Sequence, residues 1–267
     1  MISGRTRLAG VIGWPVEHSR SPAIHNAAFA ATGLDWVYTA FAVPPGAAPV
    51  ALRGASALGF GGLNVTMPHK ADAAATCDEL SPAAAALGSV NTVVFRPDGS
   101  RFGDSTDGEG FLRSLADEGL DPQGQHVLVL GAGGAARAVI AALVGAGATV
   151  EVAARRHGAA LQFAGELAGV AAARWPTGPV DAEIVVNATP IGMGDDPAIP
   201  VTPTAGQWVV DLVYHPLETP LLAAAAAVGA HPIGGLGMLV HQAALAFECF
   251  TGLPAPLEAM RVAARED

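Results

Sequence analysis

The sequence predicts an α/β protein of two domains, and three observations carry that prediction. Short apolar runs alternate with Ala-rich, helix-permissive stretches, the pattern of βαβ units around a mostly parallel sheet. A glycine-rich turn near the middle of the chain joins a strand-like run directly to a helix-like one, and the character of the sequence changes just before it, near residue 103. At 267 residues and 51% hydrophobic content the chain has enough apolar side chains for two cores.

Composition narrows the function classes. Only 14% of residues are charged and the net charge is −10, so there is no basic footprint for nucleic acid or an anionic membrane. A small anionic ligand would need local, specific donors. Cys77 and Cys249 lie far apart without a C-x-x-C spacing, which points to neither a disulfide framework nor a zinc site, and no metal is expected. The N-terminal apolar run is interrupted by Gly and Pro and lacks a small-residue cleavage pattern. "AARAVIAALVGAGATV" is too short to span a bilayer and contains Arg137. A cytoplasmic protein is expected.

In chain order, "LAGVIGWPV" reads as a strand and "SPAIHNAAFAATG" as a helix with Ser21 as N-cap, Pro22 at the first position and Gly33 as terminator. "GGLNVTMP" is a second strand, ended by Pro68, and "SPAAAALGSVNTVVF" repeats the Ser-Pro helix start before entering another strand. Beyond "DGSRFGDSTDGEGF", the stretch "QHVLVLGAGGAARAVIAALVGAG" is strand, tight turn and helix in succession. The runs "TVEVAAR", "AEIVVNATP" and "QWVVDLVY" follow at the spacing of a nucleotide-binding half-fold, and "GMLVHQAALAFECFTG" is a long amphipathic helix.

Within "VLVLGAGGAARA", Gly131, Gly133 and Ala136 form G-x-G-x-x-A between strand and helix. The first glycine permits the tight turn, the second lets a pyrophosphate approach the backbone, and the third small residue lets the helix pack close. The alternative is a merely structural turn, but the strand and helix flanks are the context that dinucleotide binding requires. At the next strand an acid favours NAD and an arginine favours the 2′-phosphate of NADP. Glu151 superficially fits the first rule, yet the strand's carboxyl end falls on Ala154, Arg155 and Arg156. An arginine fork suits a phosphate, so NADP is the expected cofactor; the bland alternative is two arginines at a solvated turn.

Among the fourteen Lys and Arg residues Lys70 is the only lysine. Its ammonium gives up a proton near neutral pH far more readily than a guanidinium, which makes it a candidate acid/base unless it survived by chance. Lys70 follows "NVTMPH", where Asn64 and Thr66 sit two apart and so face one side of a strand that ends where α/β folds bind ligands. Asp107 in "GDSTDGEG" could orient Lys70, although an Asp before Gly is often only a turn or helix cap. Asn91 and Thr92 close the passage into the adjacent strand. Ser19 and Ser21, at a strand-to-helix junction, offer hydroxyls and free helix N–H groups to a carboxylate.

The chain resembles the shikimate dehydrogenase family over nearly its full length, through "GWPVEHSRSPAIHN", "NVTMPHK", "GSVNTV", "STDGEGF", "GAGGAARA", "NATPIGM", "DLVYHPLETPLL" and "GLGMLVHQAALAFECFTG" in that order. The resemblance implies NADPH-dependent, reversible reduction of 3-dehydroshikimate to shikimate, on the route to chorismate and the aromatic amino acids. It implies that Lys70 is the catalytic acid/base with Asp107 beside it, that Ser19 and Ser21 hold the carboxylate, and that Asn64, Asn91, Asp107 and Gln242 read ring hydroxyls. Thr66 and Tyr214 would line the site. For the cofactor it implies Gly131, Gly133, Gly134 and Ala135 at the turn and Arg155 and Arg156 at the phosphate. Thr189, Val213, Gly235 and Met238 would stand near the nicotinamide. It also implies a substrate-binding domain of residues 1–103 completed by helices in 237–267, a Rossmann-type NADP-binding domain of residues 104–236, and an active site in the interdomain cleft. Family members occur as monomers and homodimers.

Three positions depart from the family pattern: Ser105 where Asn is usual, Ala154-Arg155-Arg156 where Asn-Arg-Thr is usual, and Phe250 where Trp is usual. Relatives that oxidise quinate or aminoshikimate, often with NAD, remain an alternative, as does a non-catalytic NADP sensor on the same fold. The serines at 19 and 21 favour shikimate, and the presence of both Lys70 and Asp107 counts against the sensor.

Overall fold

The computed structural model describes residues 2–193 and 199–266. The chain divides into two compact units, one running to Asp107 and resuming at Val240, the other spanning Gly108–Leu239.

The first unit contains β1 (Arg7–Gly13), α1 (Ser21–Thr32), β2 (Trp36–Ala42), α2 (Ala48–Ala57), β3 (Gly62–Val65), α3 (Lys70–Thr76), β4 (Glu79–Leu80), α4 (Pro82–Leu87), β5 (Thr92–Phe95) and β6 (Arg101–Asp104). They form a sheet in the order β2-β1-β3-β5-β6-β4. β1 is parallel to β2 and β3, whereas β5 is antiparallel to both β3 and β6. β5 and β6 are joined by a tight turn through Gly99 at φ 86°, a connection that only an antiparallel pair accommodates. One face of the sheet is filled by Ile12, Leu52, Leu63, Val90 and Val93.

Two local features differ from expectation. β1 ends at Gly13, before the cis peptide between Trp14 and Pro15, rather than running on to Val16. Ser21 is not the N-cap of α1: Arg20 occupies that position with helical backbone angles, φ −82° and ψ −7°, and no side chain caps the helix. The helix starts early because the Arg20 carbonyl already accepts from Ile24 N at 3.2 Å. At the second Ser-Pro start the pattern does hold, since Ser81 Oγ accepts from Ala84 N. Gly33 terminates α1 in the left-handed region at φ 68°.

In the second unit, α5 (Asp107–Asp117) leads to β7 (His126–Leu130), α6 (Gly134–Gly145), β8 (Thr149–Ala153), α7 (His157–Glu166), β9 (Val170–Ala173), β10 (Ile184–Asn187), β11 (Trp208–Asp211), α8 (Pro220–Ala227) and β12 (His231–Gly234). The strand order is β12-β11-β10-β7-β8-β9 and all neighbours are parallel. This is the doubly wound order, whose switch point falls between β7 and β10. The central runs are apolar throughout because helices cover both faces, and every residue of β10 is buried.

α9 (Leu236–Thr251) carries the chain back to the first unit, where α10 (Leu257–Arg265) packs on α1. There the ring of Phe250 lies over Gly62, where a Cβ would collide with it, so the Phe at this position packs directly on β3. In the same cluster His25 is 1% exposed, and its ring stacks on that of Tyr38 at 4.3 Å and 1°. Burial pushes the His25 pKa down from 6.5 to about 3, and Nδ1 finds no partner among the described residues.

Candidate active site

Lys70 is the first residue of α3, directly after the turn that the Met67–Pro68 cis peptide closes. Its carbonyl accepts from Val90 N at 3.0 Å, which ties its backbone to the entrance of β5. From there Lys70 Nζ donates to Asp107 Oδ2 at 2.5 Å, with both side chains largely sheltered from solvent. Asn91 Nδ2 donates to the other carboxylate oxygen, Asp107 Oδ1, at 2.8 Å, and to Thr106 Oγ1 at 2.9 Å. Asn91 Oδ1 accepts from Thr106 N at 2.9 Å and from Thr92 Oγ1 at 3.0 Å. Asp107 is therefore held as a fixed acceptor between an ammonium and an amide, a geometry that keeps a lysine in place for proton transfer.

The turn before Asp107 is closed by the Asp104 and Asn91 side chains. Asp104 Oδ1 accepts from Ser105 N at 2.8 Å, and neither closure uses the Ser105 side chain. The departure from Asn at 105 thus leaves the turn intact. Thr106 Oγ1 also donates to the Gln242 carbonyl at 3.1 Å, which brings α9 beside this turn.

Asn64, on β3, is 6% exposed. Its Nδ2 donates to Asn91 O at 3.2 Å and Thr92 Oγ1 at 3.1 Å, and its Oδ1 accepts from Tyr38 Oη at 2.7 Å. Both amide protons are engaged within the protein, so one Oδ1 lone pair is what remains for an incoming hydroxyl. The Tyr38 phenol also hydrogen-bonds the Ser21 side chain, and burial holds it protonated by raising its pKa. Ser19 Oγ accepts from Ser21 N at 3.3 Å, while the intervening Arg20 guanidinium donates to the carbonyls of Ala264 and Glu266. Thr66 is half-buried just beyond β3, and its carbonyl accepts from His69 N.

The second unit gathers a different set. Gly131, at the end of β7, has φ 119°, and a Cβ there would lie 2.8 Å from the Ala188 carbonyl, so only glycine fits. Gly133 caps α6 in extended conformation with open space beside it, and Gly134 and Ala135 begin the helix. Free N–H groups at that helix start suit a pyrophosphate. Arg155 and Arg156 follow β8 as exposed side chains, without an ion pair among the described residues. Glu151 instead faces His126 from within β8, with Nε2 to Oε2 at 3.3 Å, and so does not stand at the strand's carboxyl end. These residues fit an NADP molecule: a Cβ-free turn, an open helix start and two exposed guanidinium groups.

Thr189 and Val213 lie at the carboxyl ends of β10 and β11, and Gly235 N donates to Val213 O at 3.4 Å just beyond β12. A Cβ on Gly235 would clash with the Leu212 carbonyl. Met238 is 9% exposed in the first turn of α9. Tyr214, in this second unit, is half-buried in the loop after β11. Among the described residues, no group of three or more His, Cys, Asp or Glu could hold a metal ion, and no helix is long and apolar enough to cross a membrane.

Several connecting residues escaped the sequence reading. Tyr38, Thr106, Asn187 and Asp211 all make buried side-chain bonds next to candidate site residues. For Asn187 and Asp211 a signal was present, since each is the polar residue that ends an apolar run, "EIVVN" and "WVVD". Tyr38 carries no such mark, because nothing local sets a tyrosine in "WVYTAF" apart from its neighbours.

Family models place these features in context. The model described as shikimate dehydrogenase substrate binding domain matches residues 11–93, and that described as Shikimate 5'-dehydrogenase C-terminal domain matches residues 235–265. The shikimate dehydrogenase (NADP(+)) of Methanopyrus kandleri is 48% identical over 99% of this chain and 97% of its own length. A crystal structure of a shikimate dehydrogenase in complex with NADP+ superposes with a TM-score of 0.94 at 40% identity, covering 99% of this chain and 96% of the other. The shikimate 5-dehydrogenase of Thermus thermophilus, in complex with NADP(H) and shikimate, gives a TM-score of 0.86 at 40% identity, over 97% of this chain and 98% of its own. The chain belongs to the shikimate dehydrogenase family.

Proposed function

We propose that this protein is an NADP-dependent shikimate dehydrogenase that reversibly reduces 3-dehydroshikimate to shikimate. The observation that carries the reading is the Lys70 Nζ to Asp107 Oδ2 contact of 2.5 Å, with Asn91 holding the second carboxylate oxygen. The matching of this chain to relatives named for that activity over almost its whole length supports the substrate and cofactor.

When bound, NADPH supplies the hydride for the carbonyl carbon. Lys70 then delivers its proton to the oxygen as alkoxide charge develops there, and Asp107 keeps the ammonium aimed and accepts from a ring hydroxyl. In the oxidative direction the neutral Lys70 amine takes the alcohol proton. Ser19 and Ser21 hold the substrate carboxylate. Asn64 and Gln242 read ring hydroxyls, Asn91 does so by exchanging one of its bonds to Thr106 or Thr92, and Thr66 and Tyr214 line the site. The substrate-binding part comprises residues 1–103 with 237–267, and the NADP-binding part residues 104–236. Gly131, Gly133, Gly134 and Ala135 admit the pyrophosphate, Arg155 and Arg156 meet the 2′-phosphate, and Thr189, Val213, Gly235 and Met238 serve the nicotinamide end. The protein acts in the cytoplasm, as a monomer or homodimer, on a small-molecule substrate and on neither nucleic acid nor membrane.

Steady-state assays that cross shikimate and quinate with NADP and NAD test this. Shikimate with NADP should give the largest kcat/KM. A larger value with quinate or NAD would move the specificity to the alternative activities, and NADP binding without turnover would favour a sensor. In the same assays Arg155→Ala should weaken NADP by about tenfold, the loss of one charge-assisted phosphate contact, and leave NAD nearly unchanged. Equal losses for both would place the phosphate elsewhere.

A further inference from the structure

Asn187 and Asp211 are register partners at the carboxyl ends of β10 and β11, and both are fully buried. Asn187 Nδ2 donates to Asp211 Oδ1 at 2.8 Å and to the Ile191 carbonyl at 3.0 Å. Its Oδ1 accepts from both Thr189 N at 2.9 Å and Thr189 Oγ1 at 2.7 Å. Every hydrogen-bonding valence of the Asn187 amide is thereby used. Asp211 Oδ1 also accepts from Val213 N at 3.1 Å, and Oδ2 accepts from Thr219 Oγ1 at 2.6 Å. Thr219 Oγ1 in turn accepts from Leu222 N at the start of α8.

The two side chains therefore knot together three segments that have no regular secondary structure of their own: the 188–191 turn, the 212–213 turn and the residue before α8. Two consequences follow for the surface above them. Thr189, held through both its N–H and its hydroxyl, packs against Gly131, whose ideal Cβ position is 3.1 Å from Thr189 Cγ2. Val213, held through its N–H, offers its carbonyl to Gly235 N. The knot thus sets the positions of Thr189, Val213 and Gly235 together, while the Gly133 turn and the arginines after β8 take no part in it.

We propose that Asn187 and Asp211 are positioning residues for the nicotinamide end of the dinucleotide, acting through Thr189 and Val213 without touching the ligand. This rests on the NADP reading given above, and it goes further by assigning one end of the ligand to a buried polar pair. An amide keeps the part of this arrangement that holds the two turns: in Asp211→Asn, Oδ1 still accepts from Asn187 and Val213, and the loss is confined to the Thr219 hydroxyl proton, because Nδ2 donates to Thr219 Oγ1 where Oδ2 had accepted from it. Alanine leaves one Asn187 Nδ2 proton, the Val213 N–H and the Thr219 hydroxyl proton without their acceptor in the buried interior, so the turns relax to find other partners.

Titration calorimetry of the full chain with NADP+ and with 2′-phospho-ADP-ribose, which lacks the nicotinamide, tests this. Asp211→Ala should bind NADP+ about tenfold more weakly and 2′-phospho-ADP-ribose as the unmutated protein does, with Asp211→Asn restoring NADP+ affinity. If Asp211→Ala does not fold, Thr219→Val, which removes the donor to Oδ2, carries the same comparison with a smaller loss of the same selectivity. Equal losses for both ligands, or an unchanged NADP+ affinity, would overturn the proposal. Failure of the unmutated protein to bind NADP+ overturns the NADP reading and this assignment with it, and is seen before any variant is made.

Discussion

Lys70→Ala lowers turnover of shikimate by about two to four decades, the range for removal of a positioned general acid/base, and leaves the fold and NADP affinity unchanged. The fold should survive because the anchoring bond is main-chain, from Val90 N to the Lys70 carbonyl, and because alanine is favourable in the first turn of α3. Asp107 keeps its bond from Asn91 Nδ2. Lys70→Arg should fail nearly as badly, since a guanidinium keeps the proton that the reaction requires it to give up. That comparison explains why the chain's single lysine stands at this position among thirteen arginines. Steady-state rates, cofactor titration and circular dichroism of both variants provide the check. Unchanged turnover, or loss of the fold in both, would remove Lys70 from the mechanism.

The second large effect concerns acid stability. His25 is buried, and its folded-state pKa of about 3 lies below the 6.5 of an ordinary imidazole. The unfolded chain therefore takes up a proton first as the pH falls. The stability associated with a neutral His25 is complete above pH 6.5 and is lost as the pH drops toward 3, by up to about 5 kcal/mol in the limit of the full shift. His25→Phe keeps a ring against Tyr38 and cannot titrate. Denaturant unfolding at pH 7 and again near pH 4.5 should show the variant losing less stability than the parent between the two conditions. Parallel losses would mean that His25 titrates normally in the folded protein.

The parts of the fold that were readable from sequence are those where one pattern has one solution. "HVLVL" followed by Gly131 and an Ala-rich helix leaves little choice, since φ 119° at Gly131 and the nearby Ala188 carbonyl both exclude a side chain. β2 and β6 were missed, and β4, β9 and β12 were not readable. "EL" is too short, "VAAA" has the composition of a helix, and "HPIG" contains a proline that an edge strand tolerates but a central strand does not. Among candidate site residues, Lys70, Asp107 and Asn91 meet in one network although they lie far apart in the chain. Ser21 shows the limit of local rules: a Ser-Pro pair caps α4 through Ser81, yet α1 begins one residue before the same pair would cap it, because the Arg20 carbonyl already accepts from Ile24 N. What sequence could not indicate is which polar residues serve others. Tyr38 on Asn64 and Asp211 on Val213 are tertiary bonds whose partners no spacing rule connects.

The most direct measurement uses shikimate deuterated at the carbinol carbon that becomes the ketone, oxidised by the unmutated protein with NADP+, followed by mass analysis of the recovered cofactor. A dehydrogenase built on Lys70 and Asp107 passes the hydride straight to the nicotinamide, so the NADPH should carry the deuterium while the hydroxyl proton leaves through Lys70 to solvent. NADPH formed without the label, or no NADPH formed from a protein that binds both ligands, would contradict the assignment.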